Sequence, residues 1–345
     1  MQRMLIKKGI LVPLFIMTGI SLALAWGAWG HQHINRAAVF ALPDGMRSFF
    51  YNHIDFITEE AVVPDLRKYT LRDKAEGPRH FINLETYDEK GVVANLPATM
   101  AEARARYPDS VLNKAGILPW YIQEMTDKLT KAFKARSKTE ILFLAADLGH
   151  YIGDAHMPLH TALNHDGQLT GQRGIHALWE GQLPELFGDG YNLFTGPAKY
   201  IDNITRETWQ MIDSTHRLAE TLLSMDRELS AGLSKEKVYL LDSAGHIVTN
   251  QFGDPVHTKE YATKYHERLQ GMIEQQLRGA IAETASYWYT AWVNAGKPDL
   301  SVLDPGELTK RNEANLSADL QLWRQGKVGM FRPNGEFSGI RGYSR

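Results

Sequence analysis

Between Leu144 and Glu180 the chain reads LAADLGHYIGDAHMPLHTALNHDGQLTGQRGIHALWE, and this stretch holds five of the thirteen histidines. Ile141, Leu142, Leu144, Ala145, Leu148, Tyr151 and Ile152 recur with a helical period. His150 and Asp154, four residues apart, therefore project from one helix face. Pro158 should end that helix, since it has no amide hydrogen to donate and its ring clashes with the preceding turn. His160 follows at once, and after a polar, Gly-containing loop a second pair of the same spacing, His176 and Glu180, opens another helical segment. One His–carboxylate pair on a helix surface contributes a few tenths of a kcal/mol and signifies little. Two such pairs flanking a third histidine on an otherwise apolar helix form a candidate metal cluster.

Imidazole and carboxylate donors together suit a borderline cation such as zinc, at about 2.0–2.2 Å per bond. The chain has no cysteine to offer thiolate. Residues 1–25 combine Arg3, Lys7 and Lys8 with a long apolar run that ends in Ala23-Leu24-Ala25. That pattern reads as a secretory signal peptide cleaved between Ala25 and Trp26. Pro13, Gly19 and the small-residue end favour cleavage over a membrane anchor, for which the run is marginal in length. Without Arg3, Lys7 and Lys8 the formal net charge goes from −2 to −5, a balance that does not attract polyanions as a whole. A periplasmic or secreted protein without cysteine has no disulfides, so helix packing and bound metal must supply its stability.

Residues 26–300 carry the chemistry and read as one domain, and residues 301–345 as a polar, Gly-rich C-terminal extension, ordered at best in part. Within the domain, helical patterns run from Asp44 to Phe56, from Ile117 to Ala135, from Leu183 to Phe187, from Asn203 to Leu229 and from Lys259 to Ala295. Residues 84–116 read as a surface connection with one short helix, Thr99 to Tyr107. Residues 237–256 alternate around Ser243-Ala244-Gly245 and suggest a small inserted β-hairpin.

The run HYIGDAHMPLH resembles the signature shared by the zinc-dependent phospholipases C and the S1/P1 nucleases. The resemblance extends over most of residues 26–295 and implies an all-α, multi-helix fold with a trinuclear zinc cleft. It implies one buried zinc held by Asp65, His80, His150 and Asp154, and a second held by His160, His176 and Glu180. A third would take the amine and carbonyl of Trp26, together with His31, and share Asp154 as a bridge. His31 is preferred over His33 because WGAWGH matches the nuclease opening. Asp65 is also the candidate to orient or deprotonate the attacking water. His80 and Phe81 match a His-Phe-x-Asp motif, but Asn83 stands where an Asp is usual, so no carboxylate at that position supports the metal shell.

Such a cluster suits an exported zinc-dependent phosphodiesterase that uses a metal-activated water. Glu180, the short spacing from His160 to His176 and the lack of the nucleases' cysteines place a phospholipase C first. WGAWGH and Phe81, which in the nuclease branch can stack on a base, speak for the alternative of an S1/P1-type nuclease or 3'-nucleotidase. The partner is accordingly a phospholipid or single-stranded nucleic acid. A non-catalytic zinc-binding protein is the third reading, and it predicts saturated coordination without an open cleft.

Overall fold

The computed structural model describes residues 27–250 and 252–329, and every regular element among them is helical. The signal segment and Trp26 lie outside the described residues. Ten helices organise the site. They are α1 (Gly27–Ala41), α2 (Asp44–Asn52), α3 (Ile54–Glu60), α4 (Val63–Tyr69), α5 (Leu118–Ala135), α6 (Lys138–Ala155), α7 (Ile204–Ser230), α8 (Lys259–Arg268), α9 (Met272–Asn294) and α10 (Gly306–Arg324).

The central helix is α6, packed on α1, α5 and α9. Arg136 ends α5 in the left-handed region (φ 52°) and Ser137 precedes α6, so the two helices fold back on each other through a very short turn. Leu148, Tyr151 and Ile152 are fully buried, and side chains of this size contribute about 1.5–3 kcal/mol each when removed from water. Two glycines let α1 approach. A Cβ on Gly149 would lie 1.9 Å from Asn35 Oδ1, and one on Gly153 would lie 3.0 Å from His31 Nδ1. Asn35 in turn donates to the carbonyls of Ala146 and Ile57 at 3.0 and 3.3 Å, which ties α1 to α6 and α3. The spacing that clears a lane for α1 therefore also brings His31 beside His150 and Asp154.

Local geometry departs from the sequence expectation in several places. The helix expected from Asp44 to Phe56 breaks at His53 (ψ 23°) into α2 and α3. The long segment expected from Lys259 to Ala295 is two helices, because Gln270 (φ 49°) and Gly271 (φ 81°) both take left-handed backbone that no helix continues through. The connection across 84–116 carries short helices at Leu84–Tyr87, Met100–Arg106 and Asp109–Ala115, the second opened by a capping box between Thr99 and Glu102. The inserted segment forms isolated antiparallel bridges, Tyr239 with His257, Leu241 with Ile247 and Thr249 with Pro255, with no continuous strand. Its pairing is that of two successive turns, the second of which the alternation pattern did not reveal.

Within the polar stretch after residue 300, α10 docks on α2. Trp323 is buried against Phe40 and Phe194. Asp319 accepts from the Tyr51 hydroxyl at 2.5 Å, and Asn312 donates to Asn52 at 3.0 Å. Asp304 gathers Lys138 (2.6 Å), His53 (2.9 Å) and Asn52 (3.0 Å). The polar share of this attachment leaves apolar periodicity weak, although Trp323, Leu316 and Leu320 pack on the core.

Candidate metal centre

Asp154, fully buried at the C-terminal end of α6, has four histidines around its carboxylate. Oδ2 lies 2.9 Å from His80 Nδ1 and 3.2 Å from His150 Nε2, and Oδ1 lies 3.1 Å from His160 Nδ1 and 3.6 Å from His31 Nε2. His31 and His150 stack with ring centroids 3.8 Å apart. Asp65, near the start of α4, reaches the same place, with Oδ1 3.6 Å from His80 Nδ1. The second half of the centre sits on the next elements. His160 follows Pro158, and its Nε2 lies 3.2 Å from His176 Nε2, which is itself 3.0 Å from Glu180 Oε1. Glu180 rides on a wide π-helical turn, Leu178–Gln182, a distortion often found at functional sites.

Backbone carbonyls orient two of these rings. His150 Nδ1–H donates to Ala61 at 2.8 Å, and His176 Nδ1–H donates to His165 at 2.7 Å. Each ring thereby presents Nε2 to the cluster, the arrangement in which one nitrogen fixes the tautomer and the other can ligate. Donor atoms converge in three groups that could hold metal ions: His31, Asp65 and His150; His80, His150 and Asp154; and His160, His176 and Glu180. Buried polar atoms without partners support a cation here. Both ring nitrogens of His31 and both carboxylate oxygens of Asp65 are fully enclosed and make no hydrogen bond. A buried carboxylate so placed costs several kcal/mol unless a positive charge meets it.

Electrostatics follow the same crowding. Burial pushes the Asp65 carboxyl above its ordinary range, against the pull of His150 and His80. Burial and the neighbouring His150 hold His31 well below 6.5. Burial alone would lower His150 and His176, but Asp154 and Asp65 raise the first and Glu180 the second, each to about 9. Protons and a cation therefore compete for one donor set.

Every expected ligand among the described residues joins this cluster. His33, the rival to His31, instead accepts no place in it: it stacks on Trp29 at 3.7 Å and binds that residue's carbonyl at 2.7 Å. Trp26 lies outside the described residues, although its neighbour Gly27 packs its Cα region onto Gly181, next to Glu180. Phe81 lies on the cavity wall, where its carbonyl passes so close to Gly116 that a Cβ there would sit 2.1 Å away. Asn83 also lines the cavity.

Three functional candidates escaped the sequence reading. Glu76, fully buried, lies 3.5 Å from His80 Nε2 and binds Arg79 (2.8 Å), Arg67 (3.1 Å) and the Tyr151 hydroxyl. Burial opposes its ionisation, but His80, Tyr151 and Arg67 outweigh that and hold it near about 2. It offers His80 a buried carboxylate partner four residues earlier in the chain, across the Gly77-Pro78 turn. Lys68, three residues after Asp65, lies with its Nζ 4.6 Å from the Tyr69 ring centroid. Burial would discharge it, but Tyr69, Asp65 and Asp154 keep it an ammonium group beyond its ordinary range. Arg173 joins Lys68 on the cavity wall.

Of the cluster, His80, His160, His176 and Glu180 face a cavity of about 720 Å³, lined also by Tyr69, Phe81, Lys114 and residues of the inserted segment. Fold and site define a class: an all-helical protein whose buried multi-histidine cation centre opens onto a cavity. The family follows from comparison, since residues 26–282 match the family model described as S1/P1 Nuclease. The chain belongs to the S1/P1 nuclease family, whose members are phosphodiester hydrolases. No curated protein matches it. Among the described residues no helix is long and apolar enough to cross a membrane.

Proposed function

We propose that this protein is an S1/P1-type nuclease, an exported enzyme that hydrolyses phosphodiester bonds of single-stranded nucleic acid with zinc as its metal. The observation that carries the reading is the cavity beside the donor cluster, whose lining includes the aromatic rings of Tyr69, Phe81 and Phe252 and the cations Lys68, Lys114 and Arg173. Rings offer stacking surfaces to bases and cations offer charge to phosphates, the combination that binds single strands. A phospholipase C stood first on Glu180 and the spacing of His160 to His176. The family match and the cations among the rings now weigh toward the nuclease. An open cavity of this size weighs against a storage protein with saturated coordination.

His80, His150, Asp154 and Asp65 would hold one ion, His160, His176 and Glu180 a second, and His31 with the Trp26 terminus a third. Zinc bound there would supply a nucleophilic water at neutral pH and neutralise charge on the phosphate. Asp65, one carboxylate oxygen of which would meet that ion, would keep the other to orient the attacking water. Lys68, kept charged beside it, meets the negative charge that develops on the phosphoryl oxygens. Glu76 holds His80 in register. Zinc-loaded mature protein should be assayed side by side on single-stranded DNA and on phosphatidylcholine vesicles. Hydrolysis of DNA alone is expected; hydrolysis of the lipid alone overturns the reading in favour of a phospholipase, and hydrolysis of neither in favour of a metal-binding protein.

A further inference from the structure

The inserted segment reaches the mouth of the catalytic cavity. Its chain passes close on one another: Leu240 N–H donates to Val256, Val248 to Leu240 and Val256 to Val248, at 2.8, 2.8 and 2.9 Å. The second turn is fastened by Asn250, whose N–H donates to the Asp254 carbonyl at 2.9 Å and whose Oδ1 accepts from the amides of Phe252 and Asp254 at 2.9 and 3.0 Å. The base of the turn is pinned to the elements that carry His176 and Glu180. Gln182 Nε2 donates to the His257 carbonyl at 2.8 Å, and Gln182 Oε1 accepts from His257 N–H at 3.3 Å. Pro255 packs so closely on Gly174 that a Cβ there would sit 3.0 Å from it. The tip of the turn is therefore held in place relative to the metal ligands.

Phe252 stands at that tip, and its ring meets Tyr69 across the cavity mouth, centroids 5.3 Å apart and planes tilted by 45°. Both rings remain half-open to solvent, 41% and 42% exposed. Isolated exposed rings are ordinary. Here two rings from segments far apart in the chain pack together at one cavity, one on a pinned turn and the other four residues from Asp65. Lys68 Nζ lies 4.6 Å from the Tyr69 ring centroid. Asn250, Asp254 and Arg173 line the same cavity as the two rings. A flat base joined to a phosphate fits both the rings and the cations Lys68 and Arg173.

We propose that Tyr69 and Phe252 form a stacking platform for a nucleobase flanking the scissile phosphate, so that the inserted segment sets substrate choice. The platform rests on the nuclease reading above and adds a second base contact to that of Phe81. It makes the enzyme favour oligonucleotides with a base at that position over equally charged chains without one.

The test compares KM and kcat of the zinc-loaded enzyme on an oligothymidylate and on an abasic oligodeoxyribose phosphate of equal length. Phe252→Ala and Tyr69→Leu should each shrink the KM advantage of the thymidylate by about tenfold, the size of one lost base–aromatic stack. Their kcat should change less than KM, and Phe252→Trp should restore the advantage. An advantage that is undiminished in Phe252→Ala, with the wild type cleaving both chains, overturns the platform while leaving the nuclease reading intact. Wild type that cleaves phosphatidylcholine vesicles and neither oligonucleotide overturns the nuclease reading, and the platform with it.

Discussion

Asp154 faces His31, His80, His150 and His160 within 3.6 Å, and no other carboxylate in the centre meets so many donors. Asp154→Asn should therefore release more than one zinc per chain, measured by elemental analysis after gel filtration, and activity should fall with the metal. Loss of one ion or fewer, with turnover retained, would mean that the crowding is structural. Glu76 makes a second test at this scale. Removing its charge leaves His80 Nε2 without its carboxylate and the Arg67 and Arg79 guanidinium groups under-neutralised. Glu76→Gln should weaken zinc affinity by about 10–100-fold, the usual size for a residue that orients a ligand, whereas Asn83→Ala should leave zinc content unchanged. A chelator-competition titration giving the opposite order would return the supporting role to Asn83. The ligand positions on α6 were legible because His150 and Asp154 share a helical face. Glu76 was not, since its spacing from His80 falls across a Gly-Pro turn that shows no helical pattern.

At the scale of elements, the site depends on how closely α1 lies on α6. Gly149→Ala puts a methyl carbon where Asn35 Oδ1 now sits, so α1 must move or Asn35 must abandon its carbonyl partners. A loss of about 1–3 kcal/mol is expected, together with weaker zinc binding, because His31 travels with α1. Calorimetry that finds wild-type stability would show that α1 has slack at this point. The polar anchor of α10 gives a separate prediction. Asp304→Ala removes partners from Lys138, His53 and Asn52 at once, and should lower stability by about 1–3 kcal/mol in urea unfolding while zinc content stays at the wild-type level. If stability did not change, α10 would be an appendage rather than part of the fold. Neither glycine's role could be read from the chain alone, since a Gly in an apolar helix signals only a missing side chain until its neighbour is known.

For the whole molecule, the centre joins α1, α4, α6 and the Leu178–Gln182 turn, elements far apart in the chain, and there is no cysteine to staple them. Cations that satisfy Asp65 and His31 should act as the cross-link. Chelation should lower Tm substantially, since each site filled at a hundred times its Kd contributes about 2.7 kcal/mol and a large domain shifts about 2–4 °C per kcal/mol. Zinc should restore the transition; a Tm indifferent to chelator would mean that the buried donors satisfy one another. The sequence by itself showed the helical pattern and the paired His–carboxylate spacings around His160, because these are local properties, and its family resemblance implied the all-helical class, the fuller donor set and the phosphodiester chemistry. Only the tertiary structure decided that Glu76 supports His80, that two glycines seat His31, that a polar helix closes the back of the fold, and that Phe252 meets Tyr69 over the cavity. Each of these depends on a contact between distant segments, and the pattern within one segment carries no information about the surface it will meet.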